Sequence, residues 1–131
     1  MQAHHFYIGM GSNAPEARDL LRTAVRKLSE LADGEVLLST PEANEAIDFP
    51  WPATFVNQVA SMIVPMEPEE LNACMKRIER EAGRTQRETQ QGVVRLDLDL
   101  LSSDGQVLRP EDWQRPYIQR GIAEIRDMER A

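Results

Sequence analysis

Residues 95–101 read Arg95-Leu96-Asp97-Leu98-Asp99-Leu100-Leu101, two carboxylates set two residues apart inside a strongly apolar run. In an extended strand successive side chains point to opposite faces. Leu96, Leu98 and Leu100 then line one face, and Asp97 and Asp99 stand together on the other. Their Cα atoms would lie roughly 6.5–7 Å apart. Two charges at that spacing repel by about 0.6 kcal/mol in water and by roughly 2.5 kcal/mol at an effective dielectric of about 20. Left in solvent, such a pair costs little. Partly buried, it calls for a cation, and an oxygen-only donor set suits Mg²⁺ carried in with phosphates.

Working outward, the strand is preceded by a polar loop from Arg84 to Gly92 and, before it, by a helix opened by Pro68-Glu69-Glu70. Leu71, Met75, Ile78 and Ala82 form the apolar stripe of that helix, and Gly83 suits its C-terminal end. Upstream again, Thr54 to Val64 alternates as a strand. It places Phe55, Asn57, Val59 and Ser61 on one face and Val56, Gln58, Ala60 and Met62 on the other. The chain begins with a short strand, His5 to Met10, then Gly11-Ser12-Asn13. A helix with Leu20, Leu21, Ala24, Val25, Leu28 and Leu31 at helical spacing follows, and then a strand from Val36 to Ser39. Thr40 to Ala53 reads as a loop. It contains Asp48-Phe49-Pro50-Trp51-Pro52, whose tryptophan suits either a pocket edge or simple loop packing. Downstream, Asp104-Gly105 signals a hairpin to Val107 and Leu108. The tail after Pro110 is polar, with a short helix from about Ile122.

The order β-α-β-β-α-β defines an α+β class, the ferredoxin-like arrangement. An antiparallel sheet carrying two helices on one face is expected, followed by a C-terminal hairpin and tail. At 131 residues and 41% hydrophobic, the chain supports one core, so residues 1–131 are expected to form a single domain.

The net charge is −7, which argues against a general nucleic-acid or anionic-membrane surface. With 5% aromatics, the chain also lacks the exposed rings of an RNA-binding sheet. Charge is uneven, however: Lys76, Arg77, Arg80, Arg84, Arg87 and Arg95 outweigh Glu79, Glu81 and Glu88 between positions 76 and 95. A basic island on an acidic chain suits a small polyanion. Cys74 is the single cysteine, which rules out an intrachain disulfide. No apolar stretch reaches membrane-spanning length and no signal-peptide region opens the sequence, so a cytoplasmic location is expected. His4 and His5 suit the end of a strand better than ligation.

Gly11-Ser12-Asn13, Phe55-x-Asn57 and Gly83-Arg84 leading to Leu96-Asp97-Leu98-Asp99 together resemble the 6-hydroxymethyl-7,8-dihydropterin pyrophosphokinase family, as a short and diverged member. The resemblance implies transfer of pyrophosphate from ATP to the hydroxymethyl group of a reduced pterin, giving AMP in folate biosynthesis. It implies two Mg²⁺ held by Asp97 and Asp99, with Arg84 reaching the phosphates from a mobile loop. Glu79 matches an acid near the nucleotide. Phe55 and Asn57 match the pterin contacts, and Thr40-Pro41 resembles the start of the loop beside the pterin pocket. Gly92-Val93-Val94-Arg95 replaces the usual Gly-Pro-Arg-Thr, which leaves Arg95 one place over from a phosphate-binding arginine. Pro116-Tyr117 replaces a Pro-His, with Tyr117 as a substitute hydrogen-bond donor to ATP. Ile122 follows Arg120-Gly121 where the family has an aromatic. The partners implied are ATP and a reduced pterin, with no nucleic acid and no membrane; the oligomeric state is open. The alternative is a diverged relative that binds nucleotide or pterin without efficient transfer.

Taken singly, these residues have plainer readings. The two aspartates suit an exposed strand face, the arginine run a solvated helix, and Asn57 a structural hydrogen bond.

Overall fold

Strand β1 (His4–Ser12) forms the middle of the sheet, with buried residues from Phe6 to Ser12 on both of its faces. Phe6, Ile8 and Met10 point to one side, and Tyr7, Gly9 and Gly11 to the other. The computed structural model describes residues 2–47 and 49–131, so Met1 and Asp48 lie outside the description. Antiparallel partners flank β1: β4 (Thr54–Val64) on one side and β5 (Asp97–Ser103) on the other. Along the outer side of β4 run two short strands, β2 (Leu37–Leu38) and β3 (Glu42–Glu45). The far edge is β6 (Gln106–Val107), reached through Asp104 and Gly105, both at positive φ as a tight hairpin requires.

Helices α1 (Ala17–Leu31) and α2 (Pro68–Glu81) pack on one face. Leu21, Ala24 and Leu28 of α1 and Leu71, Met75 and Ile78 of α2 meet Phe6, Ile8, Ala60, Met62, Leu96 and Leu98 of the sheet. Each of the Leu, Ile, Met and Phe side chains stabilises the fold by about 1.5–3 kcal/mol when fully buried. Pro68 opens α2, and a reciprocal Glu67–Glu70 capping box satisfies its first amides. Gly83 takes φ +94° just past the end of α2, as its position after the apolar stripe implied.

The sequence-based order of elements and the antiparallel α+β sheet are present. Three segments differ from expectation. The stretch read as a loop from Thr40 contains β3. The polar loop after Gly83 folds into α3 (Gln86–Gln90), capped by Thr85, whose hydroxyl accepts from the Glu88 amide at 3.1 Å. The largest correction is the tail. It forms α4 (Pro110–Trp113) and then a 15-residue helix, α5 (Pro116–Arg130), instead of a short helix from Ile122. Ile118, Ile122 and Ile125 of α5 bury against Tyr7, Val59 and Leu101 on the second face, so helices cover both sides of the sheet. The close approach needs Gly121, where a Cβ would stand 2.7 Å from Val59 Cγ2. No helix among the described residues is long and apolar enough to cross a membrane.

Candidate functional site

Strand register sets Glu42, Asn57, Gly11 and Asp97 in one row across β3, β4, β1 and β5. In the neighbouring row Asp99 stands opposite Gly9. The two glycines form a floor with no side chains of its own, Gly9 packed against Leu101 and Ile118 and Gly11 against the Asn57 amide. A Cβ at Gly11 would lie 2.8 Å from Asn57 Oδ1. Over this floor is a cleft of about 200 Å³. Phe55, Asn57, Asp97, Asp99 and Tyr117 line it, joined by Phe49, Arg109, Asp112 and Arg115. The ring of Phe49 stacks edgewise between Phe55 and Trp51, each at 5.5 Å.

The carboxylate pair is flanked by arginines, with Arg84 on Asp97 and Arg109 near Asp99. The Asp99 carboxyl is pushed up to about 8, first by burial and then by its hydrogen bond to Asp97 and the charge of that neighbour. Arg109 opposes the shift, its Nη2 3.8 Å from Asp99 Oδ1. Arg109 is itself held by Asp112, which accepts from Arg109 Nε at 2.6 Å and from Arg115 Nε at 3.2 Å. On the other side, Arg84 Nη1 donates to Asp97 Oδ1 at 3.1 Å and to Leu96 O at 3.2 Å. Behind Arg84 lies Glu79, a buried carboxylate 3.3 Å from the guanidinium that accepts from the Leu98 amide at 2.8 Å. Glu79 thus locks α2 and Arg84 onto the strand that carries the aspartates. Arg84 and Glu79 also border a second hollow of about 670 Å³ with Lys76, Arg80 and Thr85.

No group of three or more His, Cys, Asp or Glu side chains among the described residues forms a metal cluster. The donor set offered is the Asp97–Asp99 pair, and its chemistry fits a hard divalent cation: carboxylate oxygens only, with a proton held on Asp99 by burial and by the neighbouring Asp97.

The structure therefore brings Asp97, Asp99, Phe55, Asn57 and Tyr117 together, with Arg84 and Glu79 adjoining. Three expected residues are elsewhere. Arg95 turns away from the cleft, with Nε 2.8 Å from Glu88 Oε1 and Nη1 2.8 Å from Glu16 Oε1. Thr40 is held by Glu124 of α5, which accepts from its amide at 2.9 Å and its hydroxyl at 2.7 Å. Pro41 borders the α1 side beside Leu21 and Leu38. The aromatic position after Arg120-Gly121 is core here, with Ile122 fully buried.

Asn13 has a clear structural task. Its Nδ2 donates to Gly92 O and its Oδ1 accepts from the Val94 amide, both at 2.7 Å, clasping the end of the basic loop to β1. Trp51 covers Gly92 of the same loop and touches the Phe49 ring, so it packs the loop down. Arg109, Asp112 and Arg115 escaped sequence reasoning. The one signal was a charged Arg109-Pro110-Glu111-Asp112 helix start in a tail read as polar.

The family described as 7,8-dihydro-6-hydroxymethylpterin-pyrophosphokinase matches residues 7–127 of this sequence. A protein of Porphyromonas gingivalis named 2-amino-4-hydroxy-6-hydroxymethyldihydropteridine pyrophosphokinase is 27% identical, over 91% of this chain and 88% of that protein. One of the same name from Aquifex aeolicus is 30% identical, over 85% of this chain and 68% of its own length.

Proposed function

This chain belongs to the 7,8-dihydro-6-hydroxymethylpterin-pyrophosphokinase family, and we propose on that footing that it transfers pyrophosphate from ATP to the hydroxymethyl group of 6-hydroxymethyl-7,8-dihydropterin, releasing AMP in folate biosynthesis. The observation that carries the reading to this chain is the row Asn57–Gly11–Asp97. It sets the Asn57 amide and the Asp97 carboxylate on the strands either side of Gly11, with Asp99 in the next row.

Phosphoryl-type transfer needs positioning and charge neutralisation more than covalent help. Asp97 and Asp99 are the residues that would hold two Mg²⁺, and what the metal supplies when bound is neutralisation of phosphate charge and polarisation of a phosphoryl oxygen. Asp99, whose carboxyl is held protonated by burial and by Asp97, would release that proton to solvent on taking up a cation. Arg84, released from Asp97, is placed to meet the phosphates, with Lys76 and Arg80 lining the hollow behind it. Arg109 and Arg115 add positive charge on the opposite wall, held in place by Asp112. Phe55 and Phe49, their rings nearly perpendicular, give the pterin ring apolar contacts, and Asn57 gives it a polar one. Tyr117 offers a hydroxyl whose pKa is raised by burial, so it remains a hydrogen-bond donor.

Incubation with Mg-ATP and 6-hydroxymethyl-7,8-dihydropterin tests the proposal. AMP should form only when pterin, nucleotide and Mg²⁺ are all present. A protein that binds pterin or nucleotide tightly and forms no AMP would be the diverged binder instead. The names of the relatives do not favour that reading.

A further inference from the structure

The amide of Asn57 has its polarity set from outside the cleft. Its Nδ2 donates to Asn44 Oδ1 at 3.2 Å. Asn44 donates from its own Nδ2 to Glu42 Oε1 at 3.1 Å. Glu42 is gripped by Arg120 of α5, whose Nε lies 3.2 Å from Oε2 and whose Nη2 reaches Oε1. A guanidinium only donates, and a carboxylate only accepts. Each link therefore has one permitted direction. Glu42 must accept, so Asn44 turns its amino group to Glu42 and its oxygen to Asn57, and Asn57 turns its amino group to Asn44. Heavy-atom positions alone leave an amide's orientation open; here the charges at the far end decide it. Hydrogen bonds from Arg120 first, and Asn44 second, hold the Glu42 carboxyl below its ordinary range, which keeps it ionised.

What remains to Asn57 is Oδ1. That oxygen lies over the bare Cα of Gly11, in the row leading to Asp97. Among the described residues it accepts no hydrogen bond.

We propose that Arg120, Glu42 and Asn44 are positioning residues that present Asn57 Oδ1 to the substrate ring as an acceptor, so that the site selects heterocycles turning an N–H toward it. The inference rests on reading Asn57 as a contact of the pterin ring. Arg120 and Glu42 form an exposed pair of the kind that adds little stability, so breaking the relay acts on binding rather than on folding. Arg120 thereby serves the ring from the far side of β3.

The test is calorimetric titration of 6-hydroxymethyl-7,8-dihydropterin without ATP, together with steady-state kinetics. For Asn44→Ala, pterin affinity should fall by roughly tenfold and the pterin KM should rise alike, as for loss of one oriented hydrogen bond. The ATP KM and kcat should stay within about twofold. Asn44→Asp sets a carboxylate beside Glu42 and should weaken pterin binding as well. Combining it with Glu42→Gln lets the new amide donate to the new carboxylate, which still accepts from Asn57. That double variant should recover most of the lost affinity. Wild-type pterin binding by Asn44→Ala, or a double variant no better than Asn44→Asp alone, overturns the relay. If Asn57→Ala also binds pterin normally, the reading of Asn57 falls with it; if Asn57→Ala is weakened and Asn44→Ala is not, only the relay falls.

Discussion

Asp99 and Gly11 are the residues on which the site turns. The folded chain keeps a proton on Asp99 up to about pH 8, whereas the unfolded chain releases it near an ordinary carboxylate value of about 4. Between those values the native state binds more protons, so stability falls as pH rises through that window. His4 pulls the same way. Its pKa is raised, chiefly by the hydrogen bond to Asp104 at 2.6 Å, and the stability it lends below about pH 6.5 is lost as pH passes the raised value. Comparison of wild type with Asp99→Asn isolates the first effect. In metal-free buffer the wild-type melting temperature should drop from pH 5 to pH 8, more steeply than that of the variant, and Mg²⁺ should restore wild type at pH 8. Equal slopes would mean that Asp99 ionises normally. Gly11→Ala pushes a methyl group to 2.8 Å from Asn57 Oδ1. The clash should destabilise the protein by about 1–3 kcal/mol in urea unfolding and weaken pterin binding. A variant as stable as wild type would mean that Asn57 moves freely.

Among the elements, α5 departs furthest from what the sequence displays. Ile118, Ile122 and Ile125 do recur at helical spacing, yet Arg120, Glu124 and Arg126 dilute them, and no local signal says that a second sheet face needs covering. That need is legible only once Tyr7, Val59 and Leu101 are known to share the face. If α5 is integral, Ile122→Ala should cost about 2–5 kcal/mol of stability in denaturant titration. A change under about 0.5 kcal/mol would fit a loosely attached tail. The displaced residues have similarly non-local causes. Thr40 is captured by Glu124 across the fold, and Arg95 by Glu88 seven residues upstream and by the distant Glu16, so Glu124 and Glu16 could not be read from neighbours in sequence. By contrast, the faces of β4 and β5 follow from alternation alone. Phe55, Asn57, Asp97 and Asp99 therefore fall together as period-2 reading required.

For the whole molecule, an acidic chain concentrates arginines around one carboxylate-floored cleft and a basic hollow beside it. Arg84 links the two, touching Asp97 on one side and Glu79 on the other. That layout suits a charged phosphate donor bound next to a neutral ring acceptor, and it makes the aspartate pair the point where both meet. The decisive measurement is AMP formation from Mg-ATP and 6-hydroxymethyl-7,8-dihydropterin by wild type and by Asp97→Asn, with circular dichroism as the check on folding. The expected result is pterin-dependent AMP from wild type and a loss of at least about a hundredfold from a normally folded variant. AMP released by Asp97→Asn at the wild-type rate would contradict the assignment of the carboxylate pair.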